Sequence, residues 1–124
     1  MPRKALEELT ESMFYLLLAF CRGPMCGIDA ANFIEQTTAG RVRLGPATLY
    51  TILGKFEKEG YISEIEVSGR KRTYAITGRG KAAYDEELAR LRLCIADAES
   101  PDDAYITEGA PRQLTGEVQP APGM

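Results

Sequence analysis

The segment GRVRLGPATLYTILGKFEKEGYI (Gly40–Ile62) decides the fold of this chain. Within it, four apolar residues recur at helical spacing and form one stripe, namely Leu49, Ile52, Leu53 and Phe56. Proline is tolerated in the first turn of a helix, and glycine is favoured just beyond the last turn. The segment therefore predicts a helix that starts at Gly45 and Pro46, runs to about Glu59 and stops at Gly60.

Two further helices are predicted before this segment. Thr10 can cap the first turn of a helix that reaches Cys21 and is apolar around most of its circumference, as is typical of a buried central helix. A second helix is predicted from Gly27 to about Thr37, followed by a short extended link. The inner face of this second helix is predicted to consist of Ile28, Ala31, Ile34 and Phe33.

Two strands and a last helix are predicted after the segment. The stretches Tyr61–Val67 and Lys71–Thr77 alternate apolar and polar residues on either side of a turn, which indicates a β-hairpin. A helix from about Gly78 to Ala98 follows, with Thr77 as its cap. The order of three helices, a hairpin and a helix predicts a mainly α fold with a small β-hairpin (α+β), namely a winged helix-turn-helix with a C-terminal dimerisation helix.

The last helix carries apolar residues spaced four, three and four apart, as in a helix–helix seam: Tyr84, Leu88, Leu91 and Ile95. These residues either pack onto the chain's own core or pair with a second subunit. The second subunit is favoured, because a rise of ~1.5 Å per residue carries the C-terminal members beyond a three-helix core. We therefore expect a DNA-binding domain over residues 1–77, a dimerisation helix over 78–99 and a Pro/Gly-rich acidic tail over 100–124.

Charge is distributed unevenly along the chain. The net charge is −3, yet residues 40–81 carry nine basic and four acidic residues, while residues 82–124 carry three basic and nine acidic ones. A basic middle segment can bind a polyanion even in an acidic protein, because the local potential attracts and holds the ligand. Chance clustering of solvated charges is an equally good explanation of the composition alone.

Residue types on the third helix and the hairpin suit contact with duplex DNA. Small residues let a helix enter the major groove, hydroxyl groups can contact bases or phosphates, and lysine and arginine release counterions from the phosphates. The adjacent cations at the hairpin tip repel one another, so folding does not explain them. The candidate DNA-binding residues are Arg43, Ala47, Thr48, Tyr50, Thr51, Lys55, Lys58, Arg70, Lys71 and Arg72.

Two blocks of this sequence resemble the PadR-like transcriptional regulators. The third-helix block carries Thr48, Leu49, Tyr50, Leu53, Glu57 and Gly60 at the positions of the family pattern, with Phe56 where leucine is commoner. The hairpin block SGRKRTYAITGRGKAA carries a basic tip followed by Tyr74, Ile76, Thr77 and Gly80. The resemblance covers about residues 10–98 and is closest to the short branch with one C-terminal helix.

This resemblance implies a homodimer, a palindromic DNA operator and repression of transcription. Family members join through the last helix and the first, which adds Phe14 to the seam residues as a dimerisation residue. Many also respond to small aromatic or cationic effectors, and tryptophan lines the effector pore in some short members. This chain contains no tryptophan, so a flat aromatic site is in doubt, although Phe14, Tyr15 and Tyr84 could line a smaller one.

Other classes of function find little support in the sequence. Without histidine, the chain lacks the Ser/His and Cys/His nucleophile pairs, and its three cysteines are too few for an all-cysteine zinc site. We therefore expect no enzyme activity, no metal and no cofactor. Because no signal peptide or membrane span is evident, we expect a cytoplasmic protein. The alternative hypothesis is a winged-helix module that binds a protein instead of DNA.

Overall fold

The computed structural model describes residues 9–101 of the 124-residue chain, and the predicted tail lies almost wholly outside them. The elements are α1 (Glu11–Cys21), β1 (Met25–Cys26), α2 (Gly27–Thr37), α3 (Pro46–Lys58), β2 (Ile62–Ser68), β3 (Lys71–Ile76) and α4 (Gly78–Ala98). The chain divides into two compact units between Arg90 and Leu91. The first unit contains the winged helix-turn-helix, and the described part of the second is the end of α4 and the residues that follow it.

The core of the first unit is built around α1. Leu16, Leu17 and Ala19 are completely buried and Phe20 nearly so, as expected for a helix that is apolar around most of its circumference. Thr10 caps this helix as predicted, since its hydroxyl accepts a hydrogen bond from the Met13 amide at 3.1 Å. The predicted stripe of α3 packs into the same core, so the central prediction from the Gly40–Ile62 segment is confirmed.

The end of α3 is fixed by a glycine in the left-handed region. Gly60 has φ +78°, its amide donates to the Glu57 carbonyl at 3.0 Å, and the Tyr61 amide donates to the Phe56 carbonyl at 2.8 Å. This pair of bonds is the Schellman motif, which satisfies carbonyl groups left unpaired at a helix end. The motif turns the chain sharply from α3 into β2.

The sheet has three antiparallel strands in the order β1-β3-β2, so the predicted two-stranded hairpin was incomplete. Met25 pairs with Tyr74 in the additional strand, which at two residues is too short to show an alternating pattern. The alternation in β2 also does not lead to burial, since Ile65 is 54% and Val67 52% exposed. A β-bulge between Glu64 and Glu66 interrupts the register there and leaves Ile65 unpaired.

The predicted inner face of α2 was wrong at Ile28, while Ile34 is fully buried as predicted. The buried residues are Gly27, Ala30 and Ile34, whereas Ile28 is 60% exposed. Ala31 and Phe33 are only partly buried at the edge of the core. The physical reason is the closeness of α3, because a Cβ on Gly27 would lie 2.9 Å from the Leu53 side chain, and this contact sets the rotation of α2.

The first turn of α4 is held against the end of α3 and the start of β2. Thr77 caps the helix as predicted, accepting from the Gly80 amide at 3.0 Å and donating to the Gly60 carbonyl at 2.6 Å. A Cβ on Gly80 would overlap the Tyr61 carbonyl, so the backbone approaches more closely there than any other residue allows. Among residues 9–101, we find no helix with the length and apolar character needed to cross a membrane.

Candidate nucleic-acid interface

The polar face of α3 is exposed along its whole length. Leu49, Ile52, Leu53 and Phe56 hold the helix to the core, and the remaining side chains are therefore directed outward at helical spacing. All the candidate DNA-binding residues of this helix are exposed: Ala47, Thr48, Tyr50, Thr51, Lys55 and Lys58. Gly54 lies on the same face, and a Cβ added to it would meet nothing within 4 Å.

A buried hydroxyl group shapes the connection between α2 and α3. Thr38 is 7% exposed, and its Oγ1 donates to the Ile34 carbonyl at 2.9 Å while accepting from the Val42 amide at 3.0 Å. These two bonds fold the link back onto the core, where Val42 is also buried. Thr38 thus sets the start of α3, a role that the sequence did not reveal, because a lone threonine after a helix carries no specific signal.

An arginine ties the same connection to α1. The Arg41 guanidinium donates to the Glu11 carboxylate and to the Tyr15 hydroxyl, both at 3.1 Å. The hydrogen bond with Tyr15, followed by the smaller effect of Glu11, raises the pKa of Arg41 above its ordinary value. Arg43, two residues later, is largely exposed and lies 3.6 Å from the Glu35 carboxylate. Of these two cations in the link, Arg43 is therefore the one more available to a phosphate.

The tip of the hairpin presents its cations to solvent. Arg70, Lys71 and Arg72 are all exposed, at and after a turn in which Gly69 adopts φ +63°. The Arg72 guanidinium lies 3.0 Å from the Glu64 carboxylate across the hairpin. This is an exposed ion pair of the kind that contributes little to stability, so a phosphate can compete for Arg72.

A cleft joins the hairpin to the helix-turn-helix. Its volume is about 750 Å³, and its lining comes from the start of α2 (Cys26–Asp29), Tyr50 of α3, the hairpin residues Arg70–Arg72 and Tyr74 of β3. We call this the hairpin cleft. Tyr50 and the hairpin cations, which the sequence predicted as separate parts of one surface, therefore line one cavity. Ile28 and Asp29 also lie there, although neither was predicted from the sequence as a site residue.

The predicted dimerisation residues differ in their surroundings. In the first unit, the rings of Phe14 and Tyr84 stack on each other with centroids 5.2 Å apart, and Leu88 is half-buried. In the second unit, Leu91 is half-buried and Ile95 is 56% exposed. Leu93, which was not predicted as a contact residue, is 66% exposed. Part of the seam thus already packs within one chain, while its C-terminal part presents apolar side chains to solvent.

The cysteines lie apart from any metal-binding cluster. Over residues 9–101, no group of three or more histidine, cysteine or carboxylate side chains could hold a metal ion. Cys26 is buried beside the hairpin cleft, Cys94 is exposed on α4, and Cys21 is half-buried. Burial raises the pKa of the Cys21 thiol, an effect that the nearby Lys81 partly opposes.

Comparison with known proteins identifies the family. A family model described as the transcriptional regulator PadR-like family matches residues 16–86, which is more than half of the chain. An uncharacterized 37.1 kDa protein in a transposon of Streptomyces fradiae is 29% identical over 102 residues, covering 79% of this chain and 29% of that protein. The chain thus spans less than a third of the length of that relative.

Solved structures have the same fold. A transcriptional regulator from Clostridium thermocellum superposes with a TM-score of 0.63 at 22% identity, covering 72% of this chain and 92% of that one. A protein from Streptococcus mutans gives 0.59 at 25% identity with 86% and 96% coverage, and RosR of H. salinarum gives 0.59 at 19% with 81% and 98%. These structures show the fold, and the family match shows that the chain belongs to the PadR-like family, whose members are DNA-binding transcriptional regulators and not enzymes.

Proposed function

We propose that this protein is a homodimeric repressor that binds a palindromic duplex operator and is released from it by a small-molecule effector. The observation that carries the proposal is the hairpin cleft, which brings Tyr50 of α3 together with Arg70–Arg72. A winged helix-turn-helix needs this arrangement, because α3 must enter the major groove while the hairpin reaches the neighbouring backbone or minor groove.

Specific and non-specific parts of binding are assigned to different residues. In this proposal the exposed Thr48 and Thr51 contact base edges, and the small Ala47 lets α3 approach the groove closely. Lys55, Lys58, Arg43 and the hairpin cations carry charge toward the phosphates and supply the salt-dependent part of the affinity. Two copies related by two-fold symmetry would place the α3 helices about one helical turn, ~34 Å, apart.

The second subunit covers the apolar end of α4 in this proposal. Leu93 and Ile95 are large apolar side chains that are more than half exposed in a single chain. Burial of such side chains contributes roughly 25 cal/mol per Å² of apolar surface removed from water. The variant Ile95→Glu would place a charge in this apolar contact. The mass of the variant in solution should therefore be that of one chain. Ile65→Glu is the matched control, since Ile65 is equally exposed but lies on β2.

The aromatic group around α1 is the proposed effector site. Phe14 packs edge-on against Tyr15 with centroids 5.6 Å apart and stacks on Tyr84 from α4. A small apolar compound that separated these rings would change the position of α4 and so the spacing of the two α3 helices. Binding of such a compound should weaken the protein's affinity for operator. Bound operator should in turn weaken the protein's affinity for the compound by the same factor.

Selection of binding sites from random duplex DNA with the purified protein tests the proposal. Recovery of a palindromic site would support both DNA recognition and two-fold pairing. The triple variant with alanine at Arg70, Lys71 and Arg72 should then show a shallower salt dependence, by roughly 0.9 log units for each phosphate that the protein no longer neutralises. Lys81→Ala, an exposed cation on α4, is the control and should leave the slope unchanged.

Recovery of no motif, together with salt-independent behaviour toward every duplex, would contradict DNA binding and favour the protein-binding alternative. That alternative predicts a protein partner for the face that contains Thr51 and Lys55. An unchanged salt slope in the triple variant would remove the hairpin from the interface while leaving α3 in place.

A further inference from the structure

The hairpin cleft combines cations with exposed apolar surface. Arg70–Arg72 contribute to its lining, against one carboxylate among the described residues, that of Asp29. Ile28 and Tyr50 also line the cleft and are 60% and 55% exposed. Binding to phosphates makes use of the cations, but it needs no exposed apolar surface beside them. The cleft therefore also suits a ligand that carries both negative charge and apolar side chains.

A segment of this chain beyond the described residues has that composition. Residues 102–108 have the sequence DDAYITE, which contains three acidic residues, no basic residue and two large apolar ones. An arginine can donate two parallel hydrogen bonds to a carboxylate, so Asp102, Asp103 and Glu108 suit the cations of the cleft. Tyr105 and Ile106 can cover the apolar surface of the cleft, which removes apolar area from water on both sides.

The rest of the chain beyond residue 101 does not share this chemistry. Residues 109–124 contain one acidic residue, Glu117, and one basic residue, Arg112, so their side chains carry no net charge. Charge complementarity therefore selects residues 102–108 as the occupant of the cleft. We call these residues the acidic segment.

We propose that the acidic segment of one subunit binds the hairpin cleft of the partner subunit and competes there with DNA. This inference rests on the dimer and the DNA binding proposed above. In that dimer the second subunit covers Leu93 and Ile95 of α4, so the acidic segment begins close to the partner. From residue 101, an extended chain reaches up to about 25 Å by residue 108.

A bound acidic segment lowers the affinity of the protein for every duplex by the same factor. DNA binds only the clefts that are free, so the apparent affinity falls in proportion to the free fraction. A tethered segment acts at an effective concentration of about 1 mM, so that even a weak contact fills most clefts. Occupation of roughly 70–90% of the clefts corresponds to a decrease in affinity of about three- to tenfold.

Two variants of the full chain test the competition through their affinity for the selected duplex and for a random duplex. The neutral variant carries Asp102→Asn, Asp103→Asn and Glu108→Gln, and the apolar variant carries Tyr105→Ser and Ile106→Ser. Each should bind both duplexes roughly three- to tenfold more tightly than the unaltered protein. Glu117→Gln and Leu114→Ser are the matched controls from outside the acidic segment and should leave both affinities unchanged.

The apolar variant separates a bound segment from general charge repulsion. An acidic segment that stays free in solution would repel DNA through its charge alone. Removal of that charge would tighten DNA binding, whereas the loss of Tyr105 and Ile106 would not. A gain in affinity for the neutral variant alone would therefore overturn the proposal.

Backbone amide resonances of Gly27, Ile28 and Tyr50, recorded without DNA, test which subunit supplies the segment. A ¹⁵N-labelled chain that carries all five substitutions is mixed with an excess of the unlabelled, unaltered chain. We expect the three resonances to shift, because only the partner can then supply an intact segment. The same mixture with an unlabelled chain that also carries the five substitutions is the control and should show no shift. Shifts that occur in a labelled unaltered chain but not in the mixture would contradict the contact with the partner.

The failure of this inference is distinguishable from that of the proposed function. If the protein binds duplex, but both variants bind like their controls and no cleft resonance shifts, the inference is wrong while DNA recognition stands. If no duplex is bound and the resonances of the mixture still shift, the contact of the segment stands and the proposed function fails. A protein with the mass of one chain in solution would overturn both the dimer and this inference.

Discussion

Gly27 of α2 lies directly against Leu53 of α3, so that a Cβ on Gly27 would come within 2.9 Å of Leu53 Cδ1. This contact joins the two helices of the helix-turn-helix. It lies at the first residue of α2, next to the hairpin cleft. It sets the rotation of α2, which leaves Ile28 exposed. It also supports the buried face of α3, the helix that we propose enters the major groove.

Gly27→Ala should separate stability from DNA affinity. The Leu53 side chain must move to accommodate the methyl group, at a cost of about 0.5–1.5 kcal/mol, while alanine restricts the unfolded chain and so gains about 0.4–1 kcal/mol over glycine. Because these effects oppose each other, we expect the free energy of unfolding to change by less than about 1 kcal/mol. Operator affinity should fall, because α3 is displaced. Equal affinity for operator would show that the contact does not position α3.

Gly80→Ala should destabilise the protein strongly. The methyl group would meet the Tyr61 carbonyl, which belongs to the backbone and cannot rotate away as a side chain can. We expect a decrease of at least about 2 kcal/mol in the free energy of unfolding by urea, in the upper range for overpacking. Gly78→Ala, in open space at the start of the same helix, is the control and should be neutral or slightly stabilising. Equal effects of the two changes would contradict the close approach at Gly80.

Thr38→Val should remove the hydroxyl group that holds the link between α2 and α3 while keeping the shape of the side chain. The Val42 amide then has no buried acceptor, which costs about 1–3 kcal/mol. Thermal unfolding should show a lower Tm for Thr38→Val, whereas Thr38→Ser keeps the hydroxyl and should lower the Tm less. A Tm for Thr38→Ser below that of Thr38→Val would show that the methyl group, and not the hydroxyl, is the important part.

Glu64→Gln should tighten binding to the selected duplex. The glutamate carboxylate lies 3.0 Å from Arg72 and competes with phosphate for the guanidinium. An exposed ion pair of this kind is worth about 0.2–1 kcal/mol, so its release corresponds to an affinity increase of roughly 1.5- to 5-fold. Glu66→Gln removes the same charge from the same strand and should act more weakly, since within residues 9–101 Arg72 forms its ion pair with Glu64 and not with Glu66. Equal gains would indicate a general charge effect.

Alkylation by iodoacetamide should distinguish Cys94 from Cys21. The thiolate is the reactive species, and burial raises the pKa of the Cys21 thiol, so less thiolate is present at any given pH. We expect Cys94, which is exposed, to be modified first at pH 7.5. The rate at Cys21 should reach half its maximum at a higher pH than that of a solvated thiol, as followed by peptide mass spectrometry. Modification of Cys21 at half-maximal rate below the ordinary thiol pKa would contradict its burial.

Most of the candidate site could be predicted from the sequence, because its members carry local signals. Lys55 and Thr51 lie opposite an apolar stripe, and Arg70–Arg72 follow a turn glycine. Thr38, Ile28 and Asp29 were not predicted, since each matters through a neighbour that is distant along the chain. The apolar pattern of α2 wrongly predicted Ile28 in the core. This helix is short, and its apolar residues fit more than one rotation, so the pattern alone does not fix which side faces inward.

The amino-acid sequence alone determined where the helices of this protein begin and end. Thr10, Gly60 and Thr77 act on the backbone within a few residues of themselves, and such short-range hydrogen bonds and φ preferences are encoded locally. Only the tertiary structure decided which side of α2 faces inward, that Met25 joins the sheet through Tyr74, and that Asp29 shares a cleft with Arg70. These relationships depend on the close packing of elements that are far apart in sequence, which no local pattern specifies.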